Sequence, residues 1–173
     1  MSRSRFLTVA TAALLCLLTG LLSGASIAQT KISKDRLVGT WVYTSVVVER
    51  QNGTKIEPWG PKPVGSLIFT SNGRYALQLI RADIPPFASK DRLKGTPEEY
   101  KAVAEGVLSH FGTYTVNAAE GTYTLNVEAS SFSSDNGTKQ VRTVTSFSGD
   151  EFKTFNPTPT TPFKAYATFR RVK

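Results

Sequence analysis

The sequence predicts an all-β fold, an eight-stranded antiparallel up-and-down β-barrel with one short α-helix between the third and fourth strands. Nearly every segment after residue 36 is rich in Val, Thr, Tyr and Phe, which is typical of strands. Most of these segments are joined by short turns. An open sheet of this width would leave two edges unpaired and one apolar face uncovered, whereas closure into a barrel removes both edges and buries one face.

The eight predicted strands follow one another along the chain. The strongest turn signal is Ser71-Asn72-Gly73, because Asn-Gly favours a tight hairpin. The Pro- and Gly-rich stretch "EPWGPKPVG" cannot continue a hydrogen-bonded ladder and is predicted to be a loop. The predicted strands cover residues 37–49, 66–70, 74–80, 111–117, 121–130, 139–148, 150–156 and 163–172.

One segment has helical rather than strand signals. Thr96 is a favourable N-cap and Pro97 a favourable first helical residue, and two glutamates follow in the first turn. The helix is predicted over residues 97–109. Its apolar stripe is expected to cover the outer Val/Thr face of the first strand and consists of Tyr100, Val103, Val107 and Leu108.

The first 28 residues have the three-part plan of a secretory signal. Arg3 and Arg5 precede an apolar run over residues 6–22, and small residues ending at Ala28 follow. We predict cleavage after Ala28, a single domain over residues 29–173, and a periplasmic or secreted protein. An uncleaved membrane anchor is the alternative. The only cysteine, Cys16, lies within this signal, so the exported domain would have no disulfide.

The charge of the chain does not indicate a nucleic-acid partner. The formal net charge of +8 becomes +6 when Arg3 and Arg5 are removed, and the remaining positive residues are scattered along the sequence. Export and scattered basic residues both argue against nucleic-acid binding. After signal cleavage we also expect no stable insertion into a membrane. Most of this charge is therefore interpreted as a solvated surface.

Four sequence blocks, in the order in which they occur along the chain, are similar to blocks of a known protein family. They are "LVGTW", "GPKPVGSLIFTSNGRYALQL", "FGTYTVN" and "VEASSF…GTKQVR". Together they resemble the lipocalin-like domain family of small, mostly bacterial barrels of the calycin type. The resemblance implies an internal cavity, with Trp41 closing one end of the barrel and a late arginine, Arg170 or Arg171, packing across its ring. Asn126 stands where many relatives carry histidine, so a role for histidine there is absent from this chain.

Several catalytic chemistries find no support in the sequence. The predicted mature chain has no thiol, and His110 is its only histidine, which is a poor basis for a zinc site. There is no Gly-x-Ser-x-Gly elbow and no Gly-rich phosphate loop. A single histidine at a junction between helix and strand is more often structural than catalytic. No cofactor is therefore predicted.

Alternation along the strands gives a set of candidate ligand-binding residues. If Trp41 faces inward, Tyr43 and Ser45 face inward as well. Glu128 and Arg142 lie on neighbouring strands and either pair inside the barrel or form a cross-strand pair at the surface. Gln78 and Tyr166 are each flanked by apolar residues and complete the set. Alternation alone does not decide whether their side chains face the interior or the outside of the barrel. The candidates are Trp41, Tyr43, Gln78, Glu128, Arg142 and Tyr166.

Two connections bring apolar residues to the ends of strands. "EPWGPKP" contains Trp59, and "RADIPPF" contains Pro85, Pro86 and Phe87. These loops could cover the mouth of the barrel or pack against its outer wall.

Three functions are compatible with this sequence. The leading hypothesis is an exported protein that binds a small, largely apolar or amphipathic molecule inside the barrel. The alternative is a cofactor-free isomerase or cyclase, in which Glu128 or Tyr166 moves a proton on a hydrophobic substrate. In the third, the barrel is filled by side chains and its surface binds a partner.

Overall fold

The computed structural model describes residues 31–157 and 163–173. The predicted signal peptide, residues 1–28, lies outside the described residues. Two α-helices are present in this part of the chain, α1 (Lys34–Leu37) and α2 (Pro97–Gly106), and a 3-10 turn covers Ser133–Asp135. Its nine strands are β1 (Gly39–Glu49), β2 (Lys55–Ile56), β3 (Val64–Phe69), β4 (Arg74–Ile80), β5 (Val107–Asn117), β6 (Thr122–Ser130), β7 (Lys139–Ser148), β8 (Glu151–Asn156) and β9 (Lys164–Arg171).

Eight of these strands close into an antiparallel barrel, which confirms the predicted architecture. Strands β3 to β9 pair in sequential order, and β1 pairs with both β3 and β9. The start of β1 pairs with β3, from Gly39 opposite Phe69, and its pairing with β9 extends to Glu49 opposite Lys164. The ninth strand, β2, has only two residues and pairs with the end of β1.

The predicted position of the helix between the third and fourth strands is not confirmed, and the predicted helix is too long. Helix α2 follows β4 and not the third strand, because the unpredicted strand β2 precedes it. It ends at Gly106 and not at residue 109, because the next residues pair with β4, with Leu108 opposite Leu79. The start of α2 was predicted correctly: Thr96 and Glu99 form a reciprocal capping box.

Helix α2 does not cover the outer face of β1 as expected. Its Tyr100 packs against Phe87 of the preceding loop, with ring centroids 5.4 Å apart. Gly106 lies close to Ile84 of the same loop. The helix is therefore held by the connection that leads into it and makes no extensive contact with β1.

A β-bulge changes which residues of β1 face the interior. The pairing of β1 with β9 shifts register between Tyr43 and Ser45. A bulge inserts one extra residue and so reverses the alternation beyond it. Trp41 and Tyr43 face inward before the bulge, and Val46 and Val48 face inward after it. The prediction that Ser45 faces inward is therefore wrong, because simple alternation does not include a bulge.

One end of the barrel is closed by α1 and a cluster of aromatic rings. The fully buried Trp41 donates a hydrogen bond from Nε1 to the carbonyl oxygen of Leu37, at 2.7 Å. Phe152 meets the indole edge to face, with ring centroids 4.6 Å apart. Arg171 lies over the indole, with its guanidinium carbon 4.0 Å from the ring centroid. The resemblance implied this arginine–tryptophan contact, and the structure assigns it to Arg171.

A glycine allows β5 and β6 to approach closely where their register is irregular. The register shifts between Phe111 and Gly112. A Cβ atom at Gly112 would overlap the carbonyl oxygen of Asn126 on β6. The absence of a side chain is therefore required here for the two strands to pair.

Candidate ligand site

The barrel encloses a cavity of about 250 Å³. Most of its wall is apolar and comes from inward residues of the strands, so the interior is not fully filled by side chains. Exposed Pro58 and Glu105 mark the mouth, at the end of the barrel opposite Trp41. The strand residues of the apolar wall are Val46, Val48, Leu67, Leu77, Leu79, Leu108, Ala165, Ala167 and Phe169.

Polar side chains interrupt this apolar wall within the barrel. They come from strands β1, β5, β6, β7 and β8, so the closure of the barrel is what brings them together. The polar residues contributed by these strands are Tyr43, His110, Tyr123, Gln140, Arg142, Thr154 and Asn156. A mostly apolar pocket with a few placed polar groups is the usual form of a small-molecule site.

Arg142 is the only arginine or lysine among the cavity-lining side chains of the described chain. Its Nη2 donates a hydrogen bond of 2.7 Å to Oε1 of Gln140, and Nη1 lies 3.4 Å from the carbonyl oxygen of Val141. Burial lowers the pKa of Arg142, and the neighbouring tyrosines and Asp135 oppose this effect. A guanidinium nevertheless stays protonated in proteins. The cavity therefore contains a fixed positive charge.

Two tyrosines face the cavity close to this charge. Burial raises the pKa of Tyr43 well above its ordinary value, and the charge of Arg142 only partly offsets the effect. Tyr123 lies opposite Arg142 in the β6–β7 ladder, and burial raises its pKa to about 12. Both hydroxyls are therefore protonated at neutral pH and can donate hydrogen bonds.

His110 is a buried, neutral member of the cavity wall. Its Nδ1 lies 2.9 Å from the hydroxyl oxygen of Tyr75. Burial, followed by the charge of Arg142, lowers the pKa of His110 to about 4. Its Nε2 is buried and has no hydrogen-bond partner among the described residues. The imidazole is therefore uncharged at neutral pH.

Gln140 links Arg142 to a buried carboxyl group. Its Oε1 accepts from Arg142, and its side chain lies near Asp135 of the 3-10 turn before β7, where it favours the charged form of that carboxyl. Asp135 is 6% exposed, and burial raises its pKa. The carboxylate thus reaches the guanidinium through an intervening amide and makes no direct ion pair with it.

The structure separates the six candidate residues into three groups. Tyr43 and Arg142 line the cavity. Trp41 faces inward but lies beneath the cavity, in the closed end. Gln78, Glu128 and Tyr166 lie on the outer face, so the prediction that they line the cavity is wrong. A ligand-binding role for Tyr43 and Arg142 remains a prediction.

Each of the three outward residues has a neighbour or environment that explains its position. Glu128 pairs with Arg74 of β4, with Nη1 2.7 Å from Oε1, and both side chains are about half exposed. Tyr166 packs against Phe155, with ring centroids 5.2 Å apart. Gln78 is exposed, while its neighbours Leu77 and Leu79 line the cavity. Glu128 and Arg142 therefore lie on opposite sides of the wall and do not pair.

The two apolar loops differ in their roles. Trp59 and Pro58 of the first loop line the cavity mouth, together with Ile56 of β2. Phe87 of the second loop packs against Tyr100 of α2 instead. Only the first loop therefore contributes directly to the site.

Sequence reasoning missed five polar residues of the cavity, namely His110, Tyr123, Gln140, Thr154 and Asn156. The alternation of inward and outward side chains along each strand could have identified them. Tyr123 shares a face with buried Leu125 and Val127, and Thr154 shares one with buried Phe152. One inward anchor on each strand would therefore have identified them.

Two further observations concern metals and membranes. Among residues 31–157 and 163–173, no group of three or more His, Cys, Asp or Glu side chains could hold a metal ion. Neither α1 nor α2 is long and apolar enough to cross a bilayer.

A closed eight-stranded barrel with an internal cavity defines a class of protein whose interior can hold one small molecule. Within this class, the family model described as a lipocalin-like domain matches residues 38–171. The chain belongs to the lipocalin-like domain family. The fold of this family suggests small-molecule binding.

The other comparisons add little. No curated protein matches the chain in sequence. A redesigned β-barrel among the solved structures is 17% identical, with a TM-score of 0.43, and the match covers 84% of this chain and 100% of that chain. A similarity at this level carries no argument about function.

Proposed function

We propose that this protein is an exported carrier that binds a small, largely apolar molecule inside its barrel. The observation that carries the proposal is the cavity of about 250 Å³, whose wall is mostly aliphatic and aromatic. Removing apolar surface of a ligand from water would supply the main driving force for binding. The few polar groups in the wall would orient the ligand.

The mouth of the barrel supports a carrier role. Trp59 and Pro58 lie at the opening and offer apolar surface to an entering molecule. Glu105 of α2 is exposed at the same opening. A ligand would therefore enter past an apolar rim with one charged position.

Export is the second part of the proposal and rests on the signal-like pattern of residues 1–28. It is tested by fractionating cells that express the full chain and sequencing the N-terminus of the protein outside the cytoplasm. The expected first residue is Gln29. An intact N-terminus in a membrane fraction would contradict cleavage.

The residues suggested for an isomerase or cyclase do not support that alternative. Glu128 is on the outer face in an ion pair with Arg74, and Tyr166 is also outside. A proton-transfer group must lie within hydrogen-bond reach of the substrate. A carrier does not require Glu128 or Tyr166 to lie inside the barrel.

The binding proposal is tested by titrating the purified full chain with the neutral apolar dye Nile red and by native mass spectrometry of the complex. We expect saturable binding of one dye per barrel, with a rise in dye fluorescence. The variant Ala167→Phe, which places a ring in the cavity, is expected to weaken binding by about tenfold or more.

A matched variant controls for nonspecific effects. Ala76→Phe introduces the same ring on the outer face of β4, where Ala76 is opposite Ile68 and Phe111. We expect this variant to bind the dye as the unmodified protein does. Equal binding by both variants, or no saturable binding at all, would overturn the proposal.

A further inference from the structure

We propose that the ligand is an amphipathic carboxylate that enters head first and places its carboxylate against Arg142. This inference rests on the proposed binding function and specifies the class of molecule that is bound. It is drawn from the charge, the hydrogen-bond donors and the apolar surface around the cavity.

The first support is a positive charge inside the barrel without a direct counterion. All 13 Asp and Glu residues lie in the described part of the chain. Arg142 nevertheless makes no ion pair within 4.0 Å there, whereas Arg74, Arg81 and Arg171 each have a carboxylate partner. Burying a charge is unfavourable unless it is paired. An anionic ligand would supply the missing partner.

The second support is the chemistry of the groups around the guanidinium. Tyr43 and Tyr123 stay protonated at neutral pH and can donate hydrogen bonds to an anion. The planar guanidinium matches the two oxygens of a carboxylate. The polar residues near Arg142 therefore favour an oxyanion over a second cation.

The acid nearest to this site leaves room for a ligand carboxylate. Asp135 makes no ion pair with Arg142 within 4.0 Å, although its charge raises the pKa of Arg142, and it does not line the cavity. Glu105 lines the cavity at the exposed mouth, where water screens its charge. Neither acid therefore neutralises Arg142 directly.

The third support is the distribution of polar and apolar surface, which sets the orientation of the ligand. Arg142 lies opposite Tyr123, and Tyr123 packs against Phe69, whose ring centroid is 5.3 Å away. Phe69 pairs with Gly39 at the closed end of the barrel. The mouth is apolar at Ile56, Pro58 and Trp59. The carboxylate would thus lie within the barrel and the apolar tail toward the mouth.

The experiment compares decanoate with 1-decanol, which has the same chain length and no charge. Each competes with Nile red for the full-length protein at pH 7.5, where decanoate is ionised. We expect decanoate to bind at least about tenfold more tightly than decanol, because only decanoate carries a charge that can pair with the guanidinium through two oxygens. The ratio of the two affinities is measured on the unmodified protein, so a folding defect in a variant cannot affect it.

The variant Arg142→Met assigns the preference to one residue. We expect it to weaken decanoate binding by about tenfold or more and to remove most of the preference for decanoate over decanol. Replacing an unpaired buried charge by an apolar side chain of similar length should not unfold the barrel. Arg74→Met is the matched control, because Arg74 lies outside with its own partner Glu128, and we expect it to keep the preference for decanoate.

The outcomes separate this inference from the binding function. Equal binding of decanoate and decanol by the unmodified protein overturns the inference but leaves binding intact. A preference for decanoate that survives Arg142→Met also overturns it. If Nile red and both ligands all fail to bind, the binding function itself is wrong.

Discussion

The guanidinium of Arg171 lies over the indole of Trp41, with its central carbon 4.0 Å from the ring centroid. Arg171 also donates hydrogen bonds to the carbonyl oxygens of Val38, at 2.7 Å, and Arg36, at 2.6 Å. One side chain of the last strand therefore holds both the first strand and the segment before it. This contact joins the two ends of the described chain and closes the base of the barrel.

We expect Arg171→Ala to destabilise the protein by about 2–4 kcal/mol, since it removes a cation–π contact and two charge-assisted hydrogen bonds. Urea unfolding followed by circular dichroism measures the change. Arg170→Ala is the control, because Arg170 is exposed on the same strand, and a change within about 0.5 kcal/mol is expected. Equal losses in the two variants would contradict a special role for Arg171.

Gly112→Ala is expected to destabilise the barrel by more than about 3 kcal/mol, because a Cβ there would overlap the backbone of Asn126 and part β5 from β6. Thermal unfolding measures the effect. Gly137→Asn serves as the comparison: Gly137 has a φ of 74° with nothing near its missing side chain, and Asn tolerates this conformation. A mild effect of Gly112→Ala would show that the two strands can separate locally.

The stability of the protein should fall as the pH drops from 6.5 toward 4. The folded-state pKa of His110 is about 4, against an ordinary value of 6.5, so the unfolded chain binds more protons between these values. The stabilisation is complete above pH 6.5 and lost as the pH falls through this window, and it amounts to about 2–4 kcal/mol.

Chemical denaturation of the unmodified protein and of His110→Gln across this pH range tests the expectation. His110 is the only histidine of the sequence, so the variant should lose most of the slope. The pKa of Asp135 is raised, and its titration acts in the opposite direction. This contribution is common to both proteins. Identical slopes would mean that His110 titrates normally in the folded state.

Ligand binding should change the fluorescence of Trp59 and not that of Trp41. The sequence contains only these two tryptophans, and only Trp59 lines the cavity mouth. We therefore expect a titration with decanoate to shift the emission of Trp41→Phe but not that of Trp59→Phe. A signal that disappears in Trp41→Phe and persists in Trp59→Phe would place the ligand elsewhere.

Local sequence signals predicted the elements whose cause is local. The capping residues Thr96 and Glu99 identify the start of α2, because the capping box involves residues only three positions apart. The Asn72-Gly73 pair identifies the β3–β4 hairpin for the same reason. The end of α2 was missed because pairing of Val107 with Ile80 overrides the helical pattern.

The inward face of each strand depends on contacts between distant residues. Alternation places Gln78 and Glu128 on one of two faces but does not select the face. Burial of Leu77 and Val127 selects it, and both polar neighbours are then outside. On β1, the bulge after Tyr43 replaces Ser45 with Val46 as the next inward residue. A bulge of this kind has no clear sequence signal.

The sequence by itself determined a barrel of eight successive strands, because strand propensity, turn residues and the need to bury one apolar face can be read from neighbouring residues, and the family resemblance implied that Trp41 closes one end. Only the tertiary structure decided that Arg142 faces inward without a carboxylate and that Glu128 faces outward beside Arg74. The reason is physical. The register and bulges of a closed sheet set the direction of each side chain, and they arise only when all the strands pair.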